Sequence, residues 1–83
     1  MSQLLGLREN INQINQHIIN LLLERKRISI EIGKIKKEMR IPIYDPSREK
    51  SILDEIYSKY PNDYHYLKPI FETIMQESRN SQY

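Results

Sequence analysis

The sequence predicts an all-α fold of three helices, one long and two short, in a helical bundle that needs a second copy of the chain. Three observations support this. Apolar residues recur at alternating steps of three and four from Leu4 through Leu7, Ile11, Ile14, Ile18 and Leu21, then Ile28, Ile32, Ile35 and Met39, the spacing of one helical face. Prolines stand only at positions 42, 46, 61 and 69, so the first half of the chain is free of helix breakers. No segment alternates polar and apolar residues with the period of a strand.

The first helix is expected over Leu4 to Lys37, with Ser2 as its N-cap and its end before Pro42, which disfavours helical geometry at Ile41. Gly33 in its interior costs only about 1 kcal/mol relative to alanine. Those 34 residues, at ~1.5 Å rise each, span roughly 50 Å. A compact chain of 83 residues has a radius of gyration near ~12 Å, so one chain cannot cover this helix. A two-fold dimer with the long helices laid against each other is the simplest remedy.

Arg40 to Tyr44 is expected as an extended connector. Asp45-Pro46 then starts a second helix, aspartate as N-cap and proline at the first helical position, running to about Lys59. Its inner face is Ile52, Leu53, Ile56 and Tyr60. Tyr60-Pro61-Asn62-Asp63 is a turn. Because a proline deep in a helix kinks it, Pro69 requires the third helix to begin between Tyr64 and Tyr66. That helix ends near Ser81 and buries Leu67, Ile70, Phe71, Ile74, Met75 and Ser78. Residues 1–83 read as a single domain.

Composition narrows the function. A net charge of +2 from 13 basic and 11 acidic residues is too balanced for a nucleic-acid binder relying on a large basic face. The basic runs Glu24 to Arg27 and Lys34 to Lys37 are diluted by Glu31 and Glu38, so a small anion suits the chain better than a polyanion. With no cysteine, and with His17 and His65 isolated, neither disulfides nor a metal site are expected. No stretch is apolar enough to span a membrane and the amino terminus has no signal-peptide pattern. These features suggest a cytoplasmic protein.

Arg25 stands in the apolar seam of the first helix where an aliphatic residue is due. Its stem either snorkels from the seam edge or joins other cations around an anion. Lys36, eleven residues on, returns to within about 20° of it and ~16 Å along the axis, with Ser29 and Ile32 between. Lys36 either shares that space or reaches solvent. Arg48 falls in the first turn of the second helix, where the macrodipole disfavours a cation, which calls for a nearby anion. Its neighbour Glu49 suits the dipole, and Asp45 is first of all a cap. Ser78 and Gln82 extend the third helix's buried stripe with a hydroxyl and an amide; near a chain end such residues are either fraying surface or neutral groups facing the cations. Arg8 lies 28 residues from Lys36, about 42 Å along one helix, so only an antiparallel partner helix can bring it to the same pocket.

The segments Leu7-Arg8-Glu9 with Ile11 and Ile14, Leu21 to Arg25, Ile32 to Lys36, Pro42 to Glu49, and Phe71 to Met75 leading into Ser78 and Gln82 together resemble the all-α chorismate mutases, the AroQ class, over essentially the whole chain. The resemblance implies an intertwined homodimer that converts chorismate to prephenate in aromatic amino-acid biosynthesis, without cofactor or covalent intermediate. By position, it implies that Arg25, Arg48 and the partner subunit's Arg8 bind the two substrate carboxylates. Lys36 would contact a carboxylate and the ether oxygen, and Gln82 would donate to that oxygen. Glu49 would accept from the substrate hydroxyl, while Ser78 and Asp45 line the site. Two departures stand out: Asn12 and Asn15 replace aspartates frequent in the family, and Gln82 is followed by a single residue, leaving a key donor on a terminal turn.

Three other readings compete. An isochorismate-pyruvate lyase of the same fold binds a similar dianion and yields salicylate and pyruvate. A catalytically silent module that dimerises, or senses a metabolite beside another shikimate-pathway enzyme, binds without turnover. A coiled-coil adaptor binds no chorismate and tolerates Arg25→Leu.

Overall fold

The computed structural model describes residues 1–83 and contains three helices and no strand: α1 (Ser2–Met39), α2 (Pro46–Lys59) and α3 (Tyr64–Gln82). α1 extends two residues past its expected bounds at each end. Ser2 does not cap it. The first turn closes one residue earlier, with the Leu5 amide donating to the Met1 carbonyl at 3.0 Å, so Met1 is the capping position and Ser2 is already helical. At the other end Arg40 is left-handed, φ 57° and ψ 41°, rather than extended. The Ile41 amide reaches back to the Lys36 carbonyl at 2.8 Å and the Arg40 amide to Lys37 at 3.2 Å, a Schellman closure.

α2 starts as expected. The Asp45 side chain accepts from the Arg48 amide at 3.0 Å, with Pro46 at the first helical position. α3 begins at Tyr64, which leaves Pro69 as its sixth residue and the helix unbroken. Pro69 has no amide to give to the His65 carbonyl, so the helix forgoes one bond of its ladder there. Tyr60 and Ile70, expected on inner faces, are exposed in the single chain; Tyr60 caps α2 and so leaves its stripe.

α3 packs against both other helices, whereas α1 and α2 make no helix-to-helix contact. α2 thus lies on α3 and not on α1. Small residues on α1 explain it. Ser29 and Gly33 are buried beneath the end of α3, and a Cβ on Gly33 would sit only 2.8 Å from the Gln82 Cα and carbonyl oxygen. α2, held by α3 alone, stands off from α1 and leaves a cleft between them.

The molecule measures 56 × 27 × 15 Å with a radius of gyration of 16.3 Å, against about 12 Å for a compact chain of this length. Its accessible surface is 7100 Å², where a compact 10.1 kDa chain exposes roughly 5300 Å². Only Ser29, Gly33, Met75 and Gln82 are buried. The α1 seam from Leu4 to Leu21 is bare in the single chain, with Leu7 62% and Leu21 64% exposed. No helix is long and apolar enough to cross a membrane.

Candidate active site

The cleft between α1 and α2, floored by the last turns of α3, has a volume of about 450 Å³. α1 contributes Arg25, Ser29, Ile32 and Lys36, four positions on one helical face. The connector and first turn of α2 contribute Ile43, Asp45, Arg48 and Glu49, and α3 contributes Met75, Ser78, Arg79 and Gln82. Seven of the eight residues singled out from the sequence therefore meet in one place: Arg25, Lys36, Asp45, Arg48, Glu49, Ser78 and Gln82. Arg8 does not. It is exposed near the start of α1, seventeen residues before Arg25 and so about 25 Å along the axis.

Charge in the cleft is uneven. Four cationic side chains, Arg25, Lys36, Arg48 and Arg79, face two carboxylates, Asp45 and Glu49, leaving a net +2. The chain's ion pairs are Lys50–Asp54, Lys59–Glu55 and Arg79–Glu49, so Arg25, Lys36 and Arg48 have no carboxylate partner. The Lys36 ammonium donates to the Ile43 carbonyl at 2.8 Å, which aims it across the cleft and leaves donors to spare.

A hydroxyl cluster joins α1 to α3. The Ser29 hydroxyl lies 2.7 Å from that of Ser78 and 3.0 Å from the Ser78 carbonyl. Ser81 donates to Ser29 at 3.0 Å, and the Gln82 amide nitrogen donates to it at 3.2 Å. Gln82 is 8% exposed, and the Lys37 ammonium holds the main-chain oxygen of Tyr83 at 2.7 Å. The terminal turn is thus pinned rather than frayed. The Gln82 amide oxygen is the buried side-chain polar atom left without a partner. The Gln82 amide nitrogen gives one N–H to Ser29 and has a second to offer a ligand.

Sequence reasoning missed Arg79. Its guanidinium bonds both Glu49 oxygens, at 2.6 Å to Oε1, and lies 4.9 Å from the centre of the Tyr44 ring. The hydrogen bond to Glu49 holds the Arg79 pKa above its ordinary value. A signal was present: Arg79 is four residues beyond Met75 and so shares its buried face. Gly33, weighed only for its helical cost, is the other omission. Its signal was its place four residues beyond Ser29, on the same side of α1.

Residues 7–83 match the family described as chorismate mutase type II. The chain belongs to that family. Its similarity to the bifunctional chorismate mutase/prephenate dehydratase of Escherichia coli strain K12 is 32% identity over 78 residues, covering 90% of this chain and 20% of that protein. A chorismate mutase of Methanocaldococcus jannaschii is 38% identical over 56 residues, covering 68% of this chain and 57% of that protein. The chain thus spans about a fifth of the length of the bifunctional chorismate mutase relatives. Among solved structures, a conserved hypothetical protein from Pyrococcus furiosus superposes with a TM-score of 0.86 at 36% identity, covering all of this chain and 99% of the other. The chorismate mutase type II fold of α1, α2 and α3 is therefore shared along its full length.

Proposed function

We propose that the cleft catalyses the rearrangement of chorismate to prephenate. The observation that carries this reading is the convergence of three cations without carboxylate partners on a cleft of net charge +2, which a dianion neutralises. The reaction is unimolecular: one carbon–oxygen bond breaks as one carbon–carbon bond forms, and no proton leaves or enters. The protein must hold a flexible dianion in its compact conformer and stabilise charge gathering on the ether oxygen. A 10⁶-fold acceleration corresponds to roughly 8 kcal/mol. Fixed donors in a site sheltered from water supply stabilisation of that kind without acid–base chemistry.

Arg25 and Arg48 bind the carboxylates, and Lys36 bridges a carboxylate and the ether oxygen. The second N–H of Gln82 donates to the same oxygen. Glu49 accepts from the substrate hydroxyl, and Ser78 and Asp45 complete the wall. The bare seam of α1 supports an intertwined homodimer with two such sites, each closed by the partner subunit's Arg8. The product would feed a dehydratase of the kind to which the bifunctional relatives are joined.

The test is chorismate consumption with product identification. Prephenate is expected. Salicylate with pyruvate would indicate a lyase instead, and binding without turnover a silent module.

A further inference from the structure

Arg79 is the one cleft cation that already has a carboxylate. Its Nη1 serves both oxygens of Glu49, so neither oxygen is saturated and each can take another donor. The pair is partly shielded, with the side chains 29% and 21% exposed. Two further contacts fix where the guanidinium stands. The Tyr44 ring lies 4.9 Å from it, close enough for a cation–π attraction, and the preceding residue, Ser78, is bonded to Ser29 of α1. Arg79 therefore ties the connector and α2 to the segment of α3 that α1 holds in place.

We propose that Arg79 is a positioning residue for Glu49: it holds the carboxylate facing the cleft and cancels its charge, so that a doubly negative ligand is admitted while the hydroxyl acceptor is retained. The proposal rests on Glu49 receiving the substrate hydroxyl, as assigned above. The alternative arrangement shows why the pairing matters. Without Arg79, Glu49 is an unpaired carboxylate in a site that must accept two more negative charges. It then repels the ligand or turns to Arg48, its neighbour, and removes a cation the ligand needs. Arg25, Lys36 and Arg48 serve the ligand, and Arg79 serves Glu49.

Steady-state kinetics of Arg79→Met, Glu49→Gln and the double variant test this, with circular dichroism confirming helical content. Arg79→Met is expected to lower kcat/KM about tenfold or more, with KM raised; in the Glu49→Gln background, where no charge remains to cancel, the same substitution costs less than about threefold. Arg79→Lys, which keeps the charge, is expected to recover most of the loss. Should Arg79→Met fail to fold, Arg79→Gln replaces it in the same comparison with the same expectation. A purely structural staple predicts a lowered melting temperature with kcat/KM intact, or an equal loss in both backgrounds, and either result overturns the proposal. If the unsubstituted protein makes no prephenate from chorismate, the assigned reaction falls and this role with it. If it does, and Arg79→Met keeps kcat/KM within about threefold, the positioning role alone falls.

Discussion

At the scale of single residues, the proposed function rests on side chains that α1 holds against the connector and α3. Lys36 is steered by the Ile43 carbonyl and Gln82 by Ser29, so each donor is fixed before a ligand arrives. Lys36→Ala and Gln82→Ala are each expected to lower turnover about tenfold or more with helicity unchanged; normal prephenate formation by either variant would remove it from the mechanism. Gly33 is the sharper structural test. In an isolated helix, Gly33→Ala should gain about 1 kcal/mol. In the folded chain the new methyl would press on the Gln82 backbone at 2.8 Å, and overpacking of that kind costs about 1–3 kcal/mol. Urea unfolding should show a net loss of stability, and prephenate formation should fall as the Gln82 amide is displaced.

At the scale of elements, the starts of α2 and α3 were readable, while the end of α1 holds the one left-handed residue. Asp45-Pro46 announces the start of α2, and the structure places both residues as expected. The end of α1 was not fully legible, because Arg40 takes the left-handed conformation that glycine or asparagine usually signals. Arg40→Gly should therefore stabilise the protein by up to about 1 kcal/mol, measurable by thermal melting. The exposed ion pairs of α2 contribute at its outer surface. Hydrogen bonding to Lys59 holds the Glu55 carboxyl below 4.5, while Glu55 and Asp54 hold Lys59 and Lys50 above 10.5. Glu55 thus contributes fully above 4.5 and loses its share as pH falls through the lowered value; the lysines contribute below 10.5 and lose theirs as pH rises through the raised one. The stability difference between the parent and Glu55→Gln should shrink as pH falls below 4.5 and through the lowered value, and high salt should shrink it at neutral pH.

At the scale of the whole molecule, the exposed apolar seam of a 56 Å rod supports the proposed dimer, since contiguous exposed apolar patches mark interaction sites. Light scattering should find dimers, and the unfolding midpoint should rise with protein concentration. Mixing subunits gives a test of the arm supplied in trans. Arg8→Ala and Lys36→Ala chains, each nearly inactive alone, should on exchange form heterodimers with one intact site, restoring about a quarter of wild-type activity at equal mixing. No recovery would show that Arg8 serves its own chain or none.

By itself, the sequence determined the helix count, most helix ends, the helical face carrying Arg25, Ser29 and Lys36, and the family, because these depend on local spacing and on side chains a few residues apart. Only the tertiary structure decided that α3 rather than α2 packs on α1, that Gly33 admits the Gln82 backbone, and that Arg79 pairs with Glu49 thirty residues away. Helical periodicity says which residues share a face. Which faces meet, and how closely, depends on side-chain size at the contact and on the path of the connectors, neither of which has a period.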